Sequence, residues 1–420
     1  MRRKIFKRIV IIGNGVAGNT ACSVIKRESS TTEITLFSKD PFRYYSACVL
    51  PNYISGEIPR ERVFLRPSFP SEGVQLFLNE AVLGIDQERQ EIISERRRAP
   101  FDLLIFATGS RPVIPPIKGG RIPGIFTLKT LQDSDQIVGS IPGKVVIVGS
   151  GPVAVEAAVA LKKRGCSVSI IARRDWVLRS LFDRDLSLQL IEILRKNGIQ
   201  VFLNEVVKEI VGNGWVEEIV TSRRKLEANL VIMAVGMKPE TQLAKEAGLE
   251  VWGNGGIIAN DLMETNVKNI YACGDCAVTK GSISHSYESN MLWYNARNQG
   301  EVAGANSLGF ERRFPGTFSM KVLNLFGTFA VSMGKPLISF EDGSLDVVQK
   351  KSEKTFSRVL VRDGKIVGAQ FIGEANGLGV LLPKIRKGQD WSVLRKLLTA
   401  RGYLCRYPLS YPIKDYLMVA

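Results

Sequence analysis

The chain has 420 residues, is 45% hydrophobic and carries a formal net charge of +16, from 57 basic and 41 acidic residues. That length allows two or three domains with full cores, and no apolar run reaches the roughly 20 residues of a membrane span. A single histidine, His285, argues against a histidine-based triad or a multi-histidine metal site. The cysteines Cys22, Cys48, Cys166, Cys273, Cys276 and Cys405 are scattered. Their spacing fits neither a secreted disulfide framework nor a zinc or iron–sulfur site, so no metal is expected. The basic residues fall in short clusters, Arg96 to Arg98, Lys162 to Arg164, Arg173-Arg174 and Arg223 to Lys225, at expected turns or helix ends. They read as a solvated surface rather than a nucleic-acid-binding face. The basic start, Met1 to Arg8, feeds straight into an apolar run ending at Gly13. It reads as a first strand rather than an export signal, and a cytoplasmic location is expected.

In chain order, Ile9 to Ile12 is a short β-branched strand that turns on Gly13-Asn14-Gly15-Val16-Ala17-Gly18 into a helix over Gly15 to Arg27. Glu33 to Phe37 is the next strand, and Asp102 to Ala107 is a buried strand ending in Thr108-Gly109-Ser110-Arg111-Pro112. A proline-rich linker covers Arg111 to Pro123. The plan then repeats: Val145 to Val148, the turn Gly149-Ser150-Gly151-Pro152-Val153-Ala154, a helix over Val153 to Arg164 and a strand over Ser167 to Ala172. The strand Leu230 to Val235 ends at Gly236, and Asn269 to Asp275 follows. After about Phe310 alternating strands dominate, such as Phe356 to Val361, with Asp363-Gly364 as a hairpin turn.

Both glycine turns carry the dinucleotide-binding fingerprint. The first glycine permits the tight turn, the second lets backbone approach a pyrophosphate, and Gly18 or Ala154 lets helix pack close to strand. The helix N-terminus then offers free N–H groups to phosphate. Two such units predict two bound dinucleotides. The end of the second strand of each unit faces the ribose, and a carboxylate is usual there. In the first unit that place is Ser38, followed by Lys39; a hydroxyl still suits a ribose. In the second it is Ala172, followed by Arg173, Arg174 and later Arg179. Guanidinium groups without a carboxylate suit a 2′-phosphate, so NADPH is expected over NADH, with NADH still usable.

Five motifs in order, GNGVAG, ATGSRP, GSGPVAVE, AVGMKPE and NIYACGDCA, resemble the pyridine nucleotide–disulfide oxidoreductases, flavoproteins that bind two dinucleotides. The resemblance implies an α/β fold of two Rossmann-like domains plus a C-terminal α+β dimerisation domain. The expected division is 1–112 and 239–309 for FAD, with the NAD(P) domain, 113–238, inserted between them, and 310–420 for dimerisation. It implies FAD at Gly13, Gly15, Gly18, Ser38, Lys39, Thr108, Gly109 and Asp275, the last on the ribitol. It implies the nicotinamide nucleotide at Gly149, Gly151, Arg173, Arg174, Arg179 and Gly236, where the stretch Ile171 to Ser180 also resembles the NADPH loop of glutathione reductases. Glu156 matches a family glutamate beside the flavin and nicotinamide.

Cys48 stands before Leu-Pro-x-Tyr-Ile-x-Gly, but the partner cysteine of a CxxxxC pair is replaced by Tyr53. This resembles the single-cysteine branch, the coenzyme A-disulfide reductases, NADH oxidases and NADH peroxidases. Val16 stands where peroxidases carry histidine, as in the coenzyme A-disulfide reductases. Lys26 and Arg27 match that branch's phosphate-facing residues, and Tyr407 and Tyr411 are candidates for a tyrosine that reaches the partner subunit's cysteine in a homodimer. Tyr44-Tyr45 replaces the branch's usual Ser-Phe. The expectation is an enzyme that passes a hydride from NADPH through FAD to Cys48, reducing a small disulfide or polysulfide such as coenzyme A disulfide. Two alternatives stay open. One is an oxidase reducing O₂. The other is a reductase of a rubredoxin- or ferredoxin-like carrier, since Trp293 to Asn306 resembles flavoproteins of that kind.

Overall fold

Short runs of Val, Ile and Leu form parallel strands buried on both faces, as such runs should. In the computed structural model, β1 (Arg8–Ile12), β2 (Glu33–Phe37) and β3 (Val74–Phe77) join Leu103–Phe106 and Ile270–Ala272 in one parallel sheet. The order is Ile270–Ala272, Leu103–Phe106, β1, β2, β3. The structure describes residues 8–400 except 68, 70–71, 141–142, 254, 341–344, 353–354 and 374–377, together with 410–411. The first helix, α1 (Val16–Glu28), buries Ala17, Ala21, Cys22 and Ile25. These pack with Ile9 and Ile11 of β1 and with Ala296, Val302 and Ala303 of the helix Trp293–Asn306. A Cβ at Gly300 or Gly304 would press on the carbonyl of Ala17 or Ala21, so the two helices run at glycine-limited distance. The opposite sheet face packs Val10, Ile12, Phe37, Leu104 and Phe106 with Ala244, Leu249 and Ile257.

The second fingerprint builds the same sheet again: Ile199–Phe202, Ser167–Ile171, Lys144–Val148, Leu230–Met233 and Ile125–Phe126, all parallel. The likeness extends to a corner that the motifs do not reveal. Phe77, the last residue of β3, opens Phe77-Leu78-Asn79-Glu80, and Phe202, the last of the corresponding strand, opens Phe202-Leu203-Asn204-Glu205. Asn79 and Asn204 both have positive φ, 50° and 53°. Glu80 accepts from Ser94 and Arg97, and Glu205 from Thr221 and Arg224. Arg97 lies over Phe77 at 3.7 Å and Arg224 over Phe202 at 4.2 Å. Each arginine thus meets a buried carboxylate and an aromatic face at once. Part of the basic surface read from the sequence therefore has a structural task.

The chain divides into two compact units. One holds 1–53, 58–111 and 237–317; the other holds 54–57, 112–236 and 318–420. The stretch from Phe310 to Thr317 stays with the first unit, where Phe314 N donates to Asp261 O and Thr317 pairs with Thr279 at 2.7 Å. The C-terminal strands form a six-stranded antiparallel sheet in the order Met320–Leu325, Thr328–Gly334, Lys365–Gly373, Phe356–Arg362, Asp346–Lys351 and Ser410–Tyr411. Asp363 and Gly364 both have positive φ, 50° and 69°, the geometry of a tight hairpin turn.

This sheet and the second parallel sheet lie in the same unit, fastened by Arg358. Its side chain is 1% exposed. Nη1 donates to Asp183 Oδ2 at 2.9 Å, and Nη2 donates to Asp185 Oδ2 at 2.6 Å and to Gln349 Oε1 at 3.1 Å. Asp183 Oδ1 accepts from Leu337 N at 2.7 Å, and Ser332 Oγ donates to Leu181 O at 2.6 Å. Removing the guanidinium strands a buried carboxylate. Arg358→Met is therefore expected to lower folding stability by about 3–5 kcal/mol, the scale for breaking a buried pair, measured by denaturant unfolding. Arg195→Met, which removes a solvent-exposed partner of Glu192, is expected to cost under about 1 kcal/mol.

Candidate functional site

In the first unit three parallel strands end side by side, and their C-terminal ends carry the sequence-predicted residues, where ligands bind in open α/β sheets. Gly13 has φ 119°, and a Cβ there would overlap Ala107 O. A Cβ on Gly18 would overlap Gly13 O, whereas one on Gly15 would meet nothing within 4 Å. Gly13 and Gly18 are therefore required by the protein's own packing, and Gly15 opens onto free space. Gly15 is also the N-cap of α1, with no side-chain cap and no acidic residue in the first turn. The free N–H groups and dipole of that turn are left for an anion. Thr108 Oγ1 donates to Glu240 O at 2.6 Å, and Gly109 has φ 73° with open space around it. Asp275 accepts from Ser110 Oγ at 2.8 Å, and the preceding Gly274 N donates to Gln299 Oε1 at 2.8 Å. Gln299 lies in the Trp-x-x-Ala-x-x-Gln-Gly pattern, the signal that could have assigned it. Ser38 is buried, its hydroxyl in a local turn with the backbone of Asp40 at 3.2 Å, and Lys39 is exposed, 3.8 Å from Glu240.

The segment bearing Cys48 is tied to the same place. Asn14 Nδ2 donates to Phe42 O at 3.5 Å, and Tyr45 OH donates to Asp40 Oδ2 at 2.8 Å. Ser46 N donates to Val63 O and Leu65 N to Tyr44 O. Cys48 is exposed, in the helical turn Ala47–Val49 that leads into α2 (Leu50–Ser55). Cys22, Cys166, Cys273 and Cys276 are buried. Burial pushes the Cys22 thiol up to about 12 and raises the other three above their ordinary value. Lys26 is 7% exposed, and its Nζ donates to Ser30 O at 2.7 Å and Thr32 O at 3.3 Å. Both carbonyls lie just beyond the C-terminal end of α1. Arg27 is exposed beside Glu28.

In the second unit Gly149 has φ 137° and lies against Ala234 O as Gly13 lies against Ala107 O, while Gly151 again opens onto free space. The helix Pro152–Lys163 starts at Gly151 with Pro152 in its first turn, no side-chain cap and no acid. Gly236 has φ 134°. Arg173 and Arg174 are exposed, directly after buried Ala172, and Arg179 lies over Trp176 at 4.4 Å. Glu156 is half-buried, with Lys321 Nζ donating to Oε2 at 3.0 Å. Burial pushes the Glu156 carboxyl above its ordinary value, against the pull of Lys321. No local signal could have found Lys321, which lies 165 residues further along the chain. Tyr407 lies outside the described residues. Tyr411 is described in its backbone, which pairs opposite Val347.

The two open glycine cradles, each under an uncapped helix N-terminus, fit two dinucleotides. The family model described as pyridine nucleotide-disulphide oxidoreductase matches residues 7–300. A CoA-dependent NAD(P)H sulfur oxidoreductase of Pyrococcus furiosus is 33% identical over 325 residues, 75% of this chain and 73% of that protein. The chain belongs to this family. An NADH oxidase of Methanocaldococcus jannaschii is 30% identical over 87% of both chains. The structure of an NAD-dependent persulfide reductase from A. fulgidus superposes with a TM-score of 0.86 at 26% identity, covering 93% of this chain and 78% of that one. As a pyridine nucleotide-disulphide oxidoreductase the protein is an FAD-dependent enzyme that uses NAD(P)H. Among the described residues no cluster of three or more His, Cys, Asp or Glu could hold a metal, and no helix is long and apolar enough to cross a membrane.

Gly15 and Gly13 separate ligand binding from folding. Gly15→Val is expected to leave the thermal midpoint of the flavin-free protein within about 2 °C and to weaken FAD retention at least about tenfold, one unfavourable contact's worth. Gly13→Val is expected to lower the yield of folded protein itself. Thermal unfolding and flavin absorbance after gel filtration check both.

Proposed function

We propose that the enzyme passes two electrons from NADPH, by way of FAD, to Cys48 and thence to a low-molecular-weight disulfide or polysulfide, of which coenzyme A disulfide is the leading example. The observation that carries this reading is the Cys48 thiol: exposed in the first turn of a helical segment, while the other described cysteines are buried with raised pKa values. A thiolate is the attacking species in disulfide exchange, and an exposed sulfur is the one that an acceptor can reach. The sulfur chemistry named for the P. furiosus and A. fulgidus relatives supports the same class of acceptor.

With Tyr53 where a second cysteine would stand, the acceptor itself supplies the other sulfur. The Cys48 thiolate attacks one sulfur of RSSR, the S–S bond breaks, RS⁻ leaves, and a mixed disulfide joins Cys48 to the second R group. Two electrons from NADPH break that bond, and protonation releases both products as thiols: NADPH + H⁺ + RSSR gives NADP⁺ + 2 RSH. FAD, when bound, relays the electron pair between nicotinamide and sulfur. Gly13, Gly15 and Gly18 cradle its pyrophosphate in this reading, with Thr108, Gly109, Asp275, Ser38 and Lys39 around the rest of the molecule. Gly149, Gly151 and Gly236 do so for NADPH, with Arg173 and Arg174 as the exposed cations for the 2′-phosphate. Arg179, stacked on Trp176, borders that loop, and Glu156 stands beside the nicotinamide. Arg27 is the cation offered to a phosphate-bearing thiol. A cytoplasmic homodimer in which Tyr407 or Tyr411 of one protomer approaches Cys48 of the other belongs to the same proposal.

The test offers coenzyme A disulfide, polysulfide, O₂ and oxidised rubredoxin in turn to wild type and Cys48→Ser with NADPH. Cys48→Ser is expected to lose disulfide turnover by at least about 10³-fold, as for removal of a covalent nucleophile, while NADPH still bleaches the flavin. Turnover with O₂ or with the protein carrier that exceeds disulfide turnover and survives Cys48→Ser would instead make the enzyme an oxidase or a carrier reductase. Arg173→Ala is expected to erode the kcat/KM preference for NADPH over NADH by about 1–3 kcal/mol, the scale of a charge-assisted hydrogen bond. A wild type that prefers NADH would contradict the arginine assignment.

A further inference from the structure

Lysine is out of place on the inward face of a strand. In Met320–Leu325 the side chains of Lys321, Leu323 and Leu325 share one face by strand alternation, and Leu323 and Leu325 are each 1% exposed. That strand packs on the helix Pro152–Lys163 and on the helix Arg184–Lys196, within one unit. Lys321 Nζ reaches Glu156 Oε2 at 3.0 Å, and the two side chains keep 24% and 26% of their exposure. Glu156 lies one helical turn beyond the open glycine cradle at Gly151.

We infer that Lys321 is a positioning residue for Glu156: it holds that carboxylate in one orientation beside the second dinucleotide cradle and favours its charged form. The C-terminal sheet thereby sets the charge that the nicotinamide nucleotide meets. This rests on the reading of Glu156 as a neighbour of the nicotinamide. A carboxyl that loses hydration favours its neutral form, and burial does raise Glu156. Lys321 is the charged group that opposes the rise. The other strands packed on the helix are Lys144–Val148 and Ser167–Ile171. The second has no charged side chain, and Lys144 of the first is engaged by Glu227. Without Lys321 the carboxyl takes up a proton at higher pH, and the charge at the cradle becomes a function of pH.

The test uses the oxidised holoenzyme and NADP⁺, which binds without turnover. The dissociation constant is read from the flavin absorbance change between about pH 6 and pH 9, and the Glu156 carboxyl titration from infrared difference spectra. Relative to wild type and Lys321→Arg, Lys321→Met is expected to move the carboxyl titration to higher pH and to change the dissociation constant about tenfold across it, one pK unit's worth. The double variant Glu156→Gln/Lys321→Met is expected to be flat and to match Glu156→Gln. A carboxyl titration that does not move in Lys321→Met, or a pH dependence that persists in the double variant, overturns the pairing role. A carboxyl that moves while NADP⁺ binding stays unchanged overturns the placement of Glu156 beside the nicotinamide, and the inference falls with it. A merely structural ion pair would lower the thermal midpoint of Lys321→Met and move the carboxyl titration while leaving NADP⁺ binding without pH dependence.

Discussion

The architecture depends on how closely a glycine turn can approach a neighbouring carbonyl. At Gly13 and again at Gly149 a Cβ would overlap the carbonyl of the residue that ends the adjacent strand, Ala107 or Ala234. That approach brings the turn flush with the sheet's C-terminal edge and aims the following helix N-terminus along it. The next glycine, Gly15 or Gly151, faces open space, so a ligand's phosphates can come as near as the backbone allows. Gly109 and Asp275 follow strands that pair with β1 or with its neighbour, so they end at the same sheet edge. Gly236 and Arg173 follow strands of the second sheet in the same way, and Glu156 lies on the helix that starts at Gly151.

The two units are built on one plan and differ in charge. In the first, the strand end after β2 is Ser38 and Lys39, and the chain runs on to an exposed thiol at the start of a helix. In the second, the matching strand end opens onto two exposed arginines, and a lysine from the C-terminal sheet meets the carboxylate of the fingerprint helix. Cations suit an electron donor that carries an extra phosphate, and an exposed thiol suits an acceptor that must form a bond to sulfur. The proposed direction of flow, from nucleotide to sulfur, follows from that difference in side chains on equivalent backbones.

Features legible in the sequence are those whose cause is local. The fingerprint helix expected over Gly15 to Arg27 spans Val16–Glu28, one residue later at each end, because Gly15 serves as the N-cap. The Asp363-Gly364 hairpin has the positive φ angles its composition promised. Features that depend on distant partners were not legible. Arg358 reads as an ordinary strand residue until Asp183 and Asp185 arrive from about 175 residues away. The Phe-Leu-Asn-Glu corner is a four-residue repeat that gains meaning only when Arg97 and Arg224 fold onto it. The C-terminal strands share a compact unit with the second parallel sheet, where Arg358 and Lys321 tie them through partners that no local pattern announces.

The central claim is that electrons leave through a covalent bond between Cys48 and the acceptor's sulfur. The direct measurement is to treat the oxidised enzyme with coenzyme A disulfide, quench in acid, digest, and weigh the peptide carrying Cys48 before and after a stoichiometric pulse of NADPH. The prediction is a coenzyme A adduct on Cys48 that disappears with the pulse as thiol is released. An unmodified Cys48 peptide in an enzyme that still turns over the disulfide, or an adduct that NADPH does not remove, would contradict it.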